Sequence, residues 1–220
     1  MTLTAEGVEA RTEFGLPIDR SFEKPASEAS LQRAAAALRA KGYAVEIVDT
    51  LEQARSLVIP LLPMDQSILT TASETLRLSG LDEEINRSGK YDALRPKAEK
   101  LNRNTQRADI RRLMAAPDLV VGSVHAVTED GRLVAASASG SQIGPYANTA
   151  GKVIWIVGSQ KIVPDLDAAL RRIQFYAYPK EDIRAREKYG RPSSIMKTLI
   201  VSGDFPGRAT VILIRQPVGY

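Results

Sequence analysis

Stretches of strand-like alternation and stretches of helical spacing follow one another along this chain. Ser27 caps a predicted Ala-rich helix, Glu28–Lys41, which Gly42 stops. Tyr43–Asp49 (YAVEIVD) alternates as a strand does. Thr50, with Gln53 three residues on, makes a capping box for a helix that Pro60 ends or kinks. Strand, short turn, helix is the grammar of an α/β fold. Gln66–Thr71 (QSILTT) is a second short strand, and Ser73 then caps a helix ending at Gly80. Asp82 to Ala116 is polar and helical, broken at Gly89 and Pro96. The strongest strand signals lie between Val120 and Val163. Two apolar runs there, Asp118–Val127 and Arg132–Ala138, flank Glu129-Asp130-Gly131 as the arms of a hairpin. A small-residue loop, Ser137 to Gly144, comes next. Lys152–Gly158 (KVIWIVG) then reads as a buried strand with Trp155 in the core. Asp165 caps a helix, Leu166–Tyr176, with Leu166, Leu170, Ile173 and Ala177 on one face; Pro179 breaks it before a charged helix, Lys180–Tyr189. Two β-branched runs, Thr198–Val201 and Ala209–Arg215, read as antiparallel or edge strands around Gly203-Asp204-Phe205-Pro206-Gly207.

Composition narrows the picture. With 220 residues, 44% of them hydrophobic, the chain suffices for one sizeable core and an appended arm. Residues 1–26 are that arm, mobile or lying on a partner, and residues 27–220 a single domain. A net charge of +4 is too small to argue for nucleic acid as a partner. There is no Cys, so the chain forms no disulfide and cannot ligate an iron–sulfur cluster through its own sulfur. Any other cofactor stays open. The single His, His125, excludes a multi-histidine metal site, and no metal site is assigned. The first residues, MTLTAEGVEARTEF, lack a basic stretch followed by an apolar one, and no apolar run approaches the roughly 20 residues of a membrane span. The expectation is a soluble cytoplasmic protein; a homo-oligomer stays open.

Several groups could carry chemistry. At the turn Thr70-Thr71-Ala72-Ser73-Glu74-Thr75, Ser73 and Thr75 either cradle an anion or only cap their own helix. Lys100, Arg103, Arg107 and Arg111 fall at spacings of three, four and four and so share a helix face, solvated or facing a cleft; Leu101, Ile110, Leu113 and Met114 form the buried side. In the small-residue loop, Ser139, Gly140, Ser141 and Gln142 offer hydroxyls and backbone N–H groups to an anionic ligand. Ser159, Gln160 and Lys161 come directly after the buried strand, where Lys161 supplies a positive charge or is an ordinary loop lysine.

The run TEDGRLV, the loop SASGSQIGPYA, the stretch KVIWIVGSQKIVPDLDAALRRI and the later REKYGRPSSIMKTLIV together resemble the LUD domain, that of the lactate-utilisation protein C group. The resemblance spans about Leu31 to Tyr220. It implies an α/β fold like ribose-phosphate isomerase, glucosamine-phosphate deaminase and CoA-transferases: a largely parallel sheet with helices on both faces, plus an antiparallel hairpin or edge strands. Ligands in such sheets sit beyond the carboxyl ends of the strands, and Gln160 and Lys161 belong at that mouth. Some members work beside iron–sulfur partner proteins in oxidising L-lactate to pyruvate. Two departures stand out. Many members have a Gly-Gly-Ser-x-Thr turn after the second strand; here Ser73 and Thr75 match, but Thr71 and Ala72 replace the glycines. Some relatives carry a Cys-rich segment where this chain has Glu187–Ser194, without Cys.

The resemblance also sharpens two catalytic candidates. Thr128-Glu129-Asp130-Gly131 is similar to the Glu-Asn-Gly turn that carries the catalytic glutamate of CoA-transferases, so Glu129 is a nucleophile, a ligand contact or a plain hairpin-turn residue. His125 is a general acid or base if it faces outward and a hydrogen-bonded core residue if it faces inward; relatives often carry Asn there. Two functions are expected. The first is an accessory subunit of an L-lactate-to-pyruvate type oxidation system with iron–sulfur oxidoreductase partners. The second is a stand-alone enzyme or sensor for a small phosphorylated or CoA-linked metabolite.

Overall fold

A computed structural model describes residues 4–5 and 7–220. Its N-terminal half agrees closely with the sequence signals. Ser27 Oγ accepts from Ser30 N at the start of α1 (Glu28–Ala40), which leads into β1 (Ala44–Val48). The Thr50–Gln53 capping box is fully formed on α2 (Leu51–Val58), and Pro60 lies in the 3-10 turn that ends it. After β2 (Ser67–Thr70), Ser73 caps α3 (Glu74–Ser79), and Gly80 at φ 69° turns the chain into α4 (Leu81–Arg87).

The polar stretch after α4 departs from expectation. It contains a short strand, β3 (Asp92–Ala93), and Pro96 does not break a helix but sits in the first turn of α5 (Leu94–Glu99), where its missing N–H has no helical partner to lose. The basic stripe is likewise divided. Lys100 and Arg103 lie in the loop after α5, and only Arg107 and Arg111 share α6 (Arg107–Ala115). Leu101, Ile110, Leu113 and Met114 are half-buried, and α6 has no fully buried residue.

The predicted strand Asp118–Val127 is in fact two strands in two sheets. β4 (Leu119–Gly122) belongs to the parallel sheet; β5 (Ala126–Thr128) pairs antiparallel with β6 (Leu133–Ser137) in the expected hairpin. β7 (Lys152–Gly158) is the buried strand, and β8 (Ile162–Val163) pairs parallel with β5. Asp165 caps α7 (Leu166–Arg172). Pro179 does not interrupt the helical path beyond it: a π turn, Ile173–Ala177, carries the helix on into α8 (Tyr178–Tyr189), where Pro179 occupies the first turn. The last two strands do not pair with each other. β9 (Lys197–Val201) lies on the edge of the second sheet, antiparallel to β6, but β10 (Ala209–Ile214) is a buried inner strand of the first, parallel to both β1 and β7.

The main sheet therefore runs β1-β10-β7-β4-β2-β3, all parallel, and the second β8-β5-β6-β9. Strand alternation divides the core. Val153, Trp155 and Val157 face a core shared with Leu31, Ala34 and Leu38 of α1 and with Val127, Leu133 and Ala135 of the second sheet. Ile154 and Ile156 face the opposite core, with Ala54, Leu76 and Ile85 of α2, α3 and α4. The other side of the second sheet, Ala126, Val134 and Ala136, packs on Ala169 of α7 and on Ile173. Trp155, fully buried, meets Tyr146 edge-on at 5.3 Å between ring centroids, a pairing that adds about 0.5–1.5 kcal/mol beyond burial.

Of the arm, residues 1–3 and 6 lie outside the described residues. Ile18 is buried, Asp19 N donates to Phe175 O at 2.7 Å, and the 3-10 turn Arg20–Glu23 packs against the turn at Ser159–Lys161.

Candidate functional site

The chain crosses from the parallel sheet to the second sheet twice at the carboxyl ends of the strands. One crossing is Ser123-Val124-His125, between β4 and β5; the other is the 3-10 turn Ser159–Lys161, between β7 and β8. The parallel pairing of β5 with β8 holds the two crossings side by side. This is where ligands bind in open parallel sheets.

Lys161 ties the crossings together from inside. It is 1% exposed, and its Nζ donates to Thr75 Oγ1 (3.1 Å), Ser123 Oγ (3.0 Å) and Val124 O (3.2 Å). Three acceptors match the three protons of an ammonium, but all three are neutral. Arg172 of α7, with 0% exposure, closes the cluster from the second sheet's side: Nε donates to Gln160 O at 3.1 Å and Nη1 to His125 O, one carbonyl from each crossing. Its Nη2 has no hydrogen-bond partner among the described residues, and its guanidinium lies 5.0 Å from the centre of the Tyr176 ring. Among the described residues no carboxylate pairs with either cation. Burial pushes the Lys161 amine well below its ordinary value, and Arg172 adds to the shift; burial also brings Arg172 down to about 10.

Hydroxyls line the rest of the mouth. Tyr146 OH, reached from the turn Pro145–Thr149, lies 3.1 Å from Thr71 Oγ1 and donates to Ser123 O at 2.9 Å. Gly122 makes room for this pair, since a Cβ there would fall 1.9 Å from Tyr146 OH and 2.5 Å from Thr71 Oγ1. Ser123 Oγ donates to Ile156 O at 2.6 Å.

The segment Gln216–Tyr220, which continues from β10, covers this mouth. Val218 N donates to Gln160 Oε1 at 3.0 Å, and Gln160 Nε2 donates to Gly219 O at 2.8 Å. Thr75 Oγ1 donates to Val218 O at 3.4 Å, and Tyr220 OH to Glu181 Oε2 of α8 at 2.9 Å. Two glycines permit the seat. At Gly158 a Cβ would come within 2.5 Å of Val218 N; at Gly219, with φ 72°, within 2.3 Å of Thr75 Oγ1. The open surface depressions lie elsewhere, on the α2 side around Arg55, Glu84 and Lys90, whose charges pair with one another at 3.0–3.1 Å.

Against the sequence expectations, the structure gathers Thr75, Gln160 and Lys161 into one cluster. Ser73 stays at its cap, its Oγ accepting from Leu76 N at 3.4 Å. His125 Nδ1 accepts from Ala136 N at 3.1 Å, so the ring proton sits on Nε2. Burial, with Lys161 and Arg172 nearby, holds this imidazole down at about 3, so it is neutral at neutral pH. Glu129 stands at the hairpin turn, gripped by Arg33 of α1 through Nε (2.7 Å) and Nη2 (2.9 Å); Arg33 chiefly, with Ser30, keeps the carboxyl below its usual range. The loop at Ser139–Gln142 bonds largely to itself: Ser139 Oγ donates to Ser141 Oγ, Gly140 N to Ser137 Oγ, and Gln142 Nε2 to Ala136 O. It leads into the turn that carries Tyr146 but makes none of the bonds at Lys161. Thr71, Ser123, Tyr146, Arg172 and the segment Gln216–Tyr220 join the site without having been singled out in the sequence. Only Ser123, a small polar residue inside an apolar run, carried a local signal. Among the described residues no three His, Cys, Asp or Glu side chains gather as a metal set, and no helix is long and apolar enough to cross a membrane.

Known proteins share this architecture. The family model for the LUD domain matches residues 31–214. A crystal structure of a DUF162 family protein from Deinococcus radiodurans superimposes with a TM-score of 0.52 at 15% identity, covering 86% of this chain and 99% of that one. At that identity the likeness speaks for the fold. No curated protein matches the chain.

Proposed function

The chain belongs to the LUD domain family, a family associated with lactate utilisation, and from that premise we propose that it is an accessory subunit of an L-lactate-to-pyruvate type oxidation system. In this reading it binds a small organic anion while iron–sulfur partner proteins carry the electrons. The observation that supports it is the pair of buried cations, Lys161 and Arg172, set without a carboxylate at the carboxyl ends of a parallel sheet. An uncompensated buried charge costs several kcal/mol, and a carboxylate or phosphate entering the mouth offsets part of that cost. The electrons of lactate oxidation need an acceptor, and a chain without Cys cannot hold an iron–sulfur cluster on its own thiolates.

The same cations favour a second reading, a stand-alone enzyme or sensor for a small phosphorylated or CoA-linked metabolite, because they suit any oxyanion. Thermal unfolding against L-lactate, pyruvate, sugar phosphates and acyl-CoAs separates the two. A ligand at a hundredfold its dissociation constant stabilises by about 2.7 kcal/mol. The genetic test is disruption of the coding sequence. Growth on L-lactate is expected to fail and to return with the wild-type gene but not with Lys161→Met. Undiminished growth on L-lactate would remove the accessory-subunit reading.

A further inference from the structure

The segment over the mouth is bound in an unusual way. The Gln160 side-chain amide takes both a backbone N–H and a backbone C=O from it, as a neighbouring strand would. Two carbonyl oxygens, of Val218 and Gly219, point at side-chain donors of the buried cluster, Thr75 Oγ1 and Gln160 Nε2. Thr75 Oγ1 in turn accepts from Lys161 Nζ. A partly negative carbonyl oxygen thus stands one hydroxyl away from an ammonium that lacks a counter-charge. Neutral carbonyls satisfy the donors' geometry but leave the charge uncompensated.

We propose that a carboxylate or phosphate group takes over the hydrogen bonds that the Val218 and Gly219 carbonyl oxygens now accept, with Thr75, Gln160 and Lys161 as its recognition set, and that Val218–Tyr220 leaves this site when the ligand enters. The proposal rests on the reading that the mouth takes a small anion, and adds where the anion sits and what it displaces. The segment is fastened for release. Gln216 stays in place as the hinge, its Oε1 accepting from Leu51 N at 3.3 Å and its N donating to Asp49 O at 3.2 Å. Beyond it the outer anchor is the Tyr220–Glu181 bond, and Glu181 keeps its two bonds from Arg184, 2.6 and 2.7 Å, when that bond opens. Two of the segment's three inner bonds, those accepted by the Val218 and Gly219 carbonyls, are ones an oxyanion replaces, and the third, from Val218 N to Gln160 Oε1, simply opens. The segment then competes with the ligand, so the apparent affinity is the intrinsic affinity scaled by the fraction of molecules in which the mouth is uncovered.

The test is calorimetric titration of the full chain with three probes: pyruvate, L-lactate and inorganic phosphate. The first two test a carboxylate and the third a phosphate. Gly219→Ala forces the segment off through its φ of 72° and the 2.3 Å approach to Thr75 Oγ1, and Tyr220→Phe removes only the outer anchor. For an uncovered state populated at roughly 0.1–10%, Gly219→Ala should tighten binding of one probe class by about tenfold to a thousandfold. Tyr220→Phe should tighten it less, and Lys161→Met added to either should abolish it. Hydrogen exchange on the unmodified chain gives a readout that needs no variant to fold: the Val218 amide, bonded to Gln160, should exchange faster with the binding probe present. Lys161-dependent binding that neither variant tightens, with Val218 exchange unchanged or slowed, would overturn the displacement and leave the anion reading standing. No binding of any probe by any of these proteins would overturn both.

Discussion

Replacing His125 with Asn tests the environment of the two crossings without removing a charge from them at neutral pH. The imidazole is held at about 3 in the folded protein against an ordinary 6.5. Between those values the unfolded chain binds a proton that the folded chain refuses. Stability supplied by this residue is therefore complete above pH 6.5 and lost progressively as the pH falls toward 3. At 1.36 kcal/mol per pH step, the loss at pH 5 is about 2 kcal/mol; the ring is only partly covered in surface terms, which trims this to about 1–2 kcal/mol. Asn is the chosen replacement because its Oδ1 takes the position of Nδ1 and can still accept from Ala136 N. Urea unfolding at pH 7, 6 and 5 is the assay. With a slope of about 1–3 kcal/mol per molar urea, the wild-type midpoint should fall between pH 7 and pH 5 by about 0.5–1 M more than that of His125→Asn. The carboxylates held down by arginines, Glu74 by Arg77 and Glu129 by Arg33, act on both proteins alike, so the difference isolates the histidine. Parallel midpoint curves for the two proteins would refute the reasoning.

Other substitutions probe the remaining contacts. Gly122→Ala drives a methyl group into Tyr146 OH and Thr71 Oγ1; a loss of about 1–3 kcal/mol in chemical denaturation is expected, and no loss would mean that Tyr146 readily moves aside. Asp182→Ala strips the partner from Arg186 Nε and Ser193 N, each 2.7–2.8 Å from a carboxylate that is 1% exposed; about 3–5 kcal/mol should be lost, read as a lower melting midpoint. Lys161→Met should fold with stability within about 1–2 kcal/mol of the parent, since an apolar isostere removes a buried charge as well as its bonds. Because burial disfavours the Lys161 ammonium and an anion favours it, affinity for the binding probe should fall as pH rises and the free amine loses its proton. Affinity that does not vary with pH would place the charge elsewhere.

The local grammar of the chain was legible, and its long-range choices were not. Caps at Ser27, Thr50, Ser73 and Asp165 appear where the sequence places them, because a cap needs only its own next turn. KVIWIVG declared itself as buried by being apolar on both faces, and both faces do meet a core. The change of sheet at Ser123-Val124-His125 left only the polar Ser123 as a mark, since Val120, Val124 and Ala126 are apolar whichever sheet they join. Pro96 misled as a helix breaker because a proline in a first turn breaks nothing, and Pro179 because the π turn Ile173–Ala177 just ahead of it carries the helix across. Within the site, Lys161 and Gln160 could be placed by the rule for parallel sheets. Arg172 could not: beside Arg171 within the predicted helix Leu166–Tyr176, nothing local marks it for burial. Its burial depends on two carbonyls, at 125 and 160, that only the tertiary fold brings together.

Among the described residues β10 comes last of ten strands in chain order, yet it lies inside the parallel sheet, between β1 and β7. During synthesis the ribosome delivers β1 ahead of the other strands of this sheet, and among the described residues its one partner strand is β10. The nascent chain must therefore wait with its first strand unattached until some 160 residues more have emerged, counted from Val48 to Ala209, and the flank of β7 stays bare for about the last 50 of them, from Gly158 on. Such open flanks invite pairing with neighbouring chains. The same late insertion completes the sheet and delivers Gln216–Tyr220 to the mouth, so closing the sheet and covering the carboxyl ends of its strands are one event.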